Sequence, residues 1–284
     1  MSKETKIIAF ATQKGGVGKT MTCWHTIGVL AKEGKRILAI DVDAQANLTS
    51  NFGFDNTEFY QPNNMPYGTC QIFRSAGAGR VVDPADININ SVIIKSPLDI
   101  MPTVDLIPSH IFLSVVDNTL GQVSFKEKIL QTFLEYYEDI MGEYDYILID
   151  TAPNMFPINQ NAFLTSDSII LISDPSIHSI DGMEVFIEQW KQISKVAKID
   201  FNIKAVLLNN VDGRTTQKED FYGFCQEHEE LQALLLDTFV PQAIALRQSE
   251  TDCTPIIFNK DSKVKHLQEV YNKIVEELKT KEVL

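Results

Sequence analysis

The chain has 284 residues, 44% of them hydrophobic, and a formal net charge of −13 from 25 Lys/Arg against 38 Asp/Glu. That length and apolar content suffice for one substantial core, predict a single domain over residues 1–284, and exclude a disordered chain. The acid excess lies wholly before residue 241, since residues 241–284 hold seven Lys/Arg and seven Asp/Glu, and it excludes strong nucleic-acid binding by an isolated chain because that affinity comes largely from neutralising phosphates.

The first predicted element is a strand over residues 6–11, the apolar run beginning Ile7, Ile8, Ala9. It leads into KGGVGKT at residues 14–20 and then a helix over residues 21–32 with Trp24, Ile27 and Leu30 among its apolar positions. Gly15, Gly16 and Gly18 accept backbone angles closed to other residues and leave no Cβ in the way, so successive amides from Gly15 through Val17 to Thr20 and Met21 can converge on phosphate oxygens. Lys19 is placed for the β and γ phosphates and the Thr20 hydroxyl for Mg²⁺. The following helix presents its N-terminus to the anion. The loop fits G-x-x-x-x-G-K-[ST] at one end only, because the residue five before Gly18 is Gln13; it carries a second lysine, Lys14, instead.

A strand over residues 36–41 closes on DVDAQAN at residues 41–47. Asp41 and Asp43, two residues apart, leave the strand on one side, at the carboxyl edge where ligands bind in open α/β sheets. Either acid there can orient an attacking water or hold a metal-bound one. Residues 54–97 are rich in turn formers and yield no assignment. Then come a strand over residues 99–102, a helix over 125–141, and a strand over 146–150 whose run YILID ends in Asp150, a third acid for the metal's water shell. A strand over 168–172, a helix over 183–196, a strand over 205–209, a helix over 217–235, a short strand over 238–240 and a helix over 262–278 complete the chain. Strands alternating with helices predict an α/β fold, a mostly parallel sheet with helices on both faces.

No apolar run approaches the ~18 residues of a membrane span, and MSKETK passes directly into a strand with no basic-then-apolar leader. The expectation is a cytoplasmic protein. Cys23, Cys70, Cys225 and Cys253 are scattered without a C-x-x-C pair, so neither a zinc site nor a disulfide framework is indicated.

KGGVGKT, DVDAQANLT and DYILIDTAP, in that order, resemble the deviant Walker A P-loop ATPases and within them the ParA/Soj-type partition ATPases. The likeness continues through MPTVDLIPSHIFLS, FLTSDSIILIS, LLNNVDGRTTQ and VPQAIALRQSE, and so spans most of the chain outside residues 54–97. The resemblance implies a homodimer that forms around ATP and Mg²⁺, with Lys14 as the signature lysine reaching the phosphates held by the partner subunit. It implies hydrolysis dependent on Asp43, metal contacts from Thr20 with Asp41 and Asp150 in the outer shell, and adenine contacts at Asn209, Pro241 and Gln242. It further implies non-specific DNA binding in the ATP state, a centromere-binding ParB-like partner that stimulates hydrolysis, and association with the nucleoid. Relatives commonly have Pro at the positions of Ala44 and Ala152, and an Arg-rich P-R-N-x-R where this chain has Pro241, Gln242, Ala243, Ile244 and Ala245; Arg247, Lys260, Lys263 and Lys265 are the basic candidates for DNA instead.

Only 13 residues precede Lys14, which leaves no room for the helix-turn-helix domain of longer relatives and predicts DNA binding without an operator sequence. The alternative is a MinD-like membrane-cycling ATPase, which needs a basic amphipathic C-terminal helix. Here Leu267, Val270, Tyr271, Ile274 and Leu278 fall at helical spacing, but Glu269, Glu276, Glu277 and Glu282 would be repelled by anionic lipid, so a helix docked on the core is expected. An electron-transfer relative would need paired interface cysteines, and Cys70 is the only cysteine between residues 24 and 224. A kinase reading has no phosphoacceptor to support it; Tyr136 and Tyr137 read as helix-packing residues.

Overall fold

Short runs of Val, Ile, Leu and Ala with no polar alternation have two apolar faces to bury, and a central parallel sheet buries both. The computed structural model, which describes residues 5–55, 68–77, 80–121, 123 and 126–284, has this arrangement. In chain order come β1 (Lys6–Ala11), α1 (Lys19–Lys32), β2 (Ile37–Asp41), α2 (Asn47–Asn51), α3 (Thr69–Phe73), β3 (Ser75–Gly77) and β4 (Arg80–Val81). They are followed by β5 (Val104–Ile107), α4 (Leu113–Leu120), α5 (Ile129–Tyr136), α6 (Glu138–Met141), β6 (Tyr146–Asp150), α7 (Pro157–Thr165), β7 (Ser168–Ser173) and α8 (Ile177–Ala197). The chain ends with β8 (Ile203–Leu208), α9 (Gln217–Glu227), α10 (Glu229–Leu234), α11 (Ile244–Thr251) and α12 (Lys265–Thr280).

Six strands form one sheet in the order β5-β2-β6-β1-β7-β8, every pair parallel. Side chains alternate between its faces. Ala9 and Ala11 of β1 join a core with Phe133 of α5, Phe163 of α7, Phe186 and Trp190 of α8 and Phe221 of α9. Ile8 and Phe10 join a second core with Trp24, Ile27 and Leu30 of α1 and with α12. That last helix buries Leu267, Tyr271, Ile274, Val275 and Leu278 there, the docking its spacing predicts.

Some boundaries move. The strand expected at residues 99–102 lies instead at Val104–Ile107, because the chain still turns through Met101 and Pro102, with hydrogen bonds from Met101 N to Leu98 O and Val104 N to Met101 O, before it pairs with β2. The helix expected over 125–141 starts outside the described residues and breaks at Tyr137 (φ −104°, ψ 32°) into α5 and α6. The helix expected over 217–235 breaks at extended His228 (φ −121°, ψ 98°). Residues 238–240 form no regular strand, yet Leu236 N bonds Val206 O and Val240 N bonds Leu208 O, so this segment runs beside β8 as an irregular sheet edge. Within the unassigned stretch 54–97, residues 56–67 and 78–79 lie outside the described residues; the rest holds α3, the β3–β4 pair and two short 3₁₀ turns.

The register fixes what meets at the carboxyl edge. Asp41 pairs with Asp150, and Phe10 pairs with Asp150 from the other side. The glycine-rich loop leaving β1 is therefore flanked by the acidic ends of β2 and β6, with the end of β7 on its other side.

Candidate functional site

The loop folds as its glycines allow. Gly16 (φ +80°) and Gly18 (φ +87°) are left-handed, and a Cβ on Gly18 would lie 2.1 Å from Asn209 Nδ2. Gly18 is the N-cap of α1, and among the described residues no side chain caps this end and no acid lies in the first turn. The helix thus opens with unpaired amide donors and its positive dipole end toward solvent, the arrangement that binds anions. They face a cleft of about 570 Å³ lined by Lys14 through Met21 and by Asp43, Asn51, Pro153, Asn210, Arg247 and Glu250.

Beneath the loop, buried Lys19 places Nζ 2.5 Å from Asp150 Oδ1 and 3.3 Å from Thr20 Oγ1. Thr20 Oγ1 donates to the other Asp150 oxygen at 2.7 Å. Burial alone would push the Lys19 ammonium down; Asp150, Asp43 and Asp41 outweigh it and hold its pKa above the ordinary lysine value. Asp43, 6% exposed, lines the cleft and accepts from Gln45 N at 2.9 Å through Oδ1.

Asp41 is fully buried and faces its own chain. Oδ1 accepts from Asp43 N at 3.0 Å, and Oδ2 accepts from Thr49 N and Thr49 Oγ1 at 2.9 and 2.8 Å. Burial and the nearby Asp150 charge push its pKa up to about 7 against the Thr49 hydrogen bonds. Asp41, expected in the outer shell of a metal, is thus tied into the turn that presents Asp43.

Lys14 extends the other way. Its Nζ lies 3.0 Å from Asp174 Oδ2 and 2.9 Å from Ser176 Oγ, just past the end of β7.

Sequence reasoning thus brings together Lys14, Gly15, Gly16, Val17, Gly18, Lys19, Thr20, Met21 and Asp43 around the cleft, with Asp150 directly below. Other expected site residues lie behind the loop, beyond the cleft or on its lining. Asn209 is buried and donates to Val17 O (2.8 Å) and Gly18 O (3.2 Å), clamping the loop from behind, while left-handed Asn210 lines the cleft in its place. Pro241 and Gln242 sit on the sheet edge beside Val211 and are not cleft-lining residues. Arg247, grouped with the DNA candidates, lines the cleft one helical turn from Glu250 because α11 lays both on that side; Lys260, Lys263 and Lys265 are exposed near the start of α12. Asp174 was missed although the signal was present, since SIILISD ends an apolar strand with an acid just as YILID does.

Among the described residues no cluster of three or more His, Cys, Asp or Glu side chains is placed to hold a metal. Thr20, Asp150 and Asp43 provide hard oxygen donors beside a phosphate cradle, which fits a Mg²⁺ that completes its shell with phosphate and water.

A family model described as an AAA domain matches residues 5–203. The sporulation initiation inhibitor protein Soj of Bacillus subtilis (strain 168) is 30% identical over 256 residues, covering 89% of this chain and 90% of Soj. The chromosome partitioning protein ParA of Caulobacter vibrioides is 26% identical over 252 residues, covering 89% and 86%. A solved plasmid partition protein of Borrelia burgdorferi B31, bound to AMPPNP, shares the fold with a TM-score of 0.69 at 23% identity, over 96% of this chain and 100% of that one.

Proposed function

This chain belongs to the AAA-domain family and, within it, to the ParA/Soj-type P-loop partition ATPases, and from that premise we propose an ATP-driven, dimer-forming switch for DNA segregation. The observation that carries the reading is the pair of loop lysines, each held by a carboxylate at a strand end, around an uncapped helix N-terminus. Triphosphate offers both cations and the amides a stronger anion than a carboxylate does, so binding rearranges the whole edge.

In this reading Lys19 and the amides of residues 15–21 hold the phosphates, and Thr20 with Asp150 serves Mg²⁺. Asp43 orients the attacking water, held in place by Asp41. Lys14 reaches the phosphates of a second copy, so that nucleotide stabilises the dimer by mass action. Asn210 and Arg247 flank the base-ribose end. DNA binding is non-specific, falls to Lys260, Lys263 and Lys265, and needs the dimer because one acidic chain offers too few cations. A ParB-like, centromere-binding protein accelerates hydrolysis, and the protein works on the nucleoid in the cytoplasm. The membrane-cycling alternative is disfavoured by α12, whose apolar face is already packed in the core.

Sedimentation and plasmid binding with ATP, ADP and no nucleotide test this. The expected pattern is dimers and salt-sensitive DNA binding with ATP alone; equal DNA binding with ADP or without nucleotide would sink the switch.

A further inference from the structure

Lys14 does not hang free from the loop. Asp174 Oδ1 accepts from Ser176 N at 3.0 Å and from Ser176 Oγ at 2.5 Å, so the turn into α8 fixes this carboxylate by itself. The second oxygen, Oδ2, is left for Lys14 Nζ at 3.0 Å. The Ser176 Oγ also accepts from Lys14 Nζ at 2.9 Å. Burial would raise the Asp174 pKa, but hydrogen bonds from Ser176, Ser179 and Lys14 hold it below the ordinary carboxylate value. The acceptor is preformed, and the lysine is the more exposed partner: its side chain is 40% exposed against 15% for Asp174.

We infer that Asp174, aided by Ser176, is a positioning residue for Lys14, holding its ammonium on its own subunit until the phosphates of a second copy compete for it. This rests on the proposed role of Lys14 across a dimer. One ammonium cannot sit on Asp174 and reach a neighbouring subunit at once, so the ion pair must open before the sandwich closes. A half-exposed pair is weak enough to open readily, while a triphosphate carries several charges and wins once two loaded copies meet. The pair therefore adds to the ATP concentration needed for dimerisation, as any contact made only in the unproductive state does.

The test is the ATP concentration at half-maximal dimer, from sedimentation, for wild type and Asp174→Asn. The neutral variant should need about fivefold less ATP, the scale of a partly exposed pair, and Asp174→Glu should restore most of the threshold. Ser176→Ala, which removes one acceptor, should shift it in the same direction by less. An unchanged or higher threshold in Asp174→Asn, with wild type dimerising normally, overturns the holding role. Failure of wild type to dimerise with ATP overturns the reading beneath it.

Discussion

Both edges of the central sheet bury an aspartate beside a lysine, and they use the pair differently. At the amino edge Asp105 of β5 accepts from Lys95 Nζ (2.8 Å), the Tyr144 hydroxyl (2.6 Å) and Ser96 N (2.9 Å), and Lys95 also donates to Tyr144. Lys95 and Ser96 come from the turn before β5 and Tyr144 from the segment leading into β6, Lys95 stays 55% exposed, and the network fastens residues 95 and 96 to β5. At the carboxyl edge Asp150 accepts from Lys19 and Thr20, and Lys19 is only 6% exposed. Those two donors are the groups that a phosphate and a metal would claim. A satisfied network holds shape, whereas one whose donors have a better partner waiting can change state.

Removing a partner at each edge should separate the two. Lys19→Ala is expected to have the largest effect. It leaves Asp150 buried without its cation, at a cost of about 3–5 kcal/mol in stability, and it should abolish the rise in melting temperature that ATP gives wild type. A variant that still gains stability from ATP would take Lys19 out of the phosphate site. Asp43→Ala comes next. Its carboxylate lines the cleft without supporting the loop, so hydrolysis measured by phosphate release should fall by about two orders of magnitude or more, while ATP-induced dimers persist. Rapid turnover would assign the water to another group.

Asp105→Asn sharpens the comparison from the other edge. Loss of one charge-assisted acceptor should cost about 1–3 kcal/mol in urea unfolding and leave nucleotide affinity within about twofold, as expected for distant, unlinked sites. A large loss of affinity would mean that the edges are coupled through the sheet.

The sheet was legible because its strands are uninterrupted apolar runs, and β1 and β6 fall where those runs do. Helices α2, α4, α7 and α11 were not anticipated, being five to nine residues long and too short to display a helical period. In the site, the loop and its acids were legible because each chemical role demands a residue type at a fixed offset. What Asn209, Arg247 and Asp174 face was not, since it depends on how segments far apart in the chain pack: Asn209 reaches back nearly two hundred residues to Val17 and Gly18. Asp41 and Asp43 illustrate the limit within a single motif. They share a strand end, yet one is committed to its own backbone and the other to the cleft.

That commitment also predicts a pH dependence. The ordinary carboxyl pKa of 3.8 applies to Asp41 in the unfolded chain, and burial with the Asp150 charge lifts it to about 7 in the folded one. Between these values the folded state holds a proton that the unfolded state has released, so stability falls as pH rises. The contribution is fully present below about pH 4 and lost once pH has risen through about 7. In nucleotide-free protein, urea midpoints between pH 4.5 and 8 should therefore decline more steeply for wild type than for Asp41→Asn, which cannot ionise. Parallel declines would mean that Asp41 titrates normally. Repeating the series with ATP and Mg²⁺ should shrink the difference, because a cation beside Asp150 offsets the charge that is the second cause of the shift.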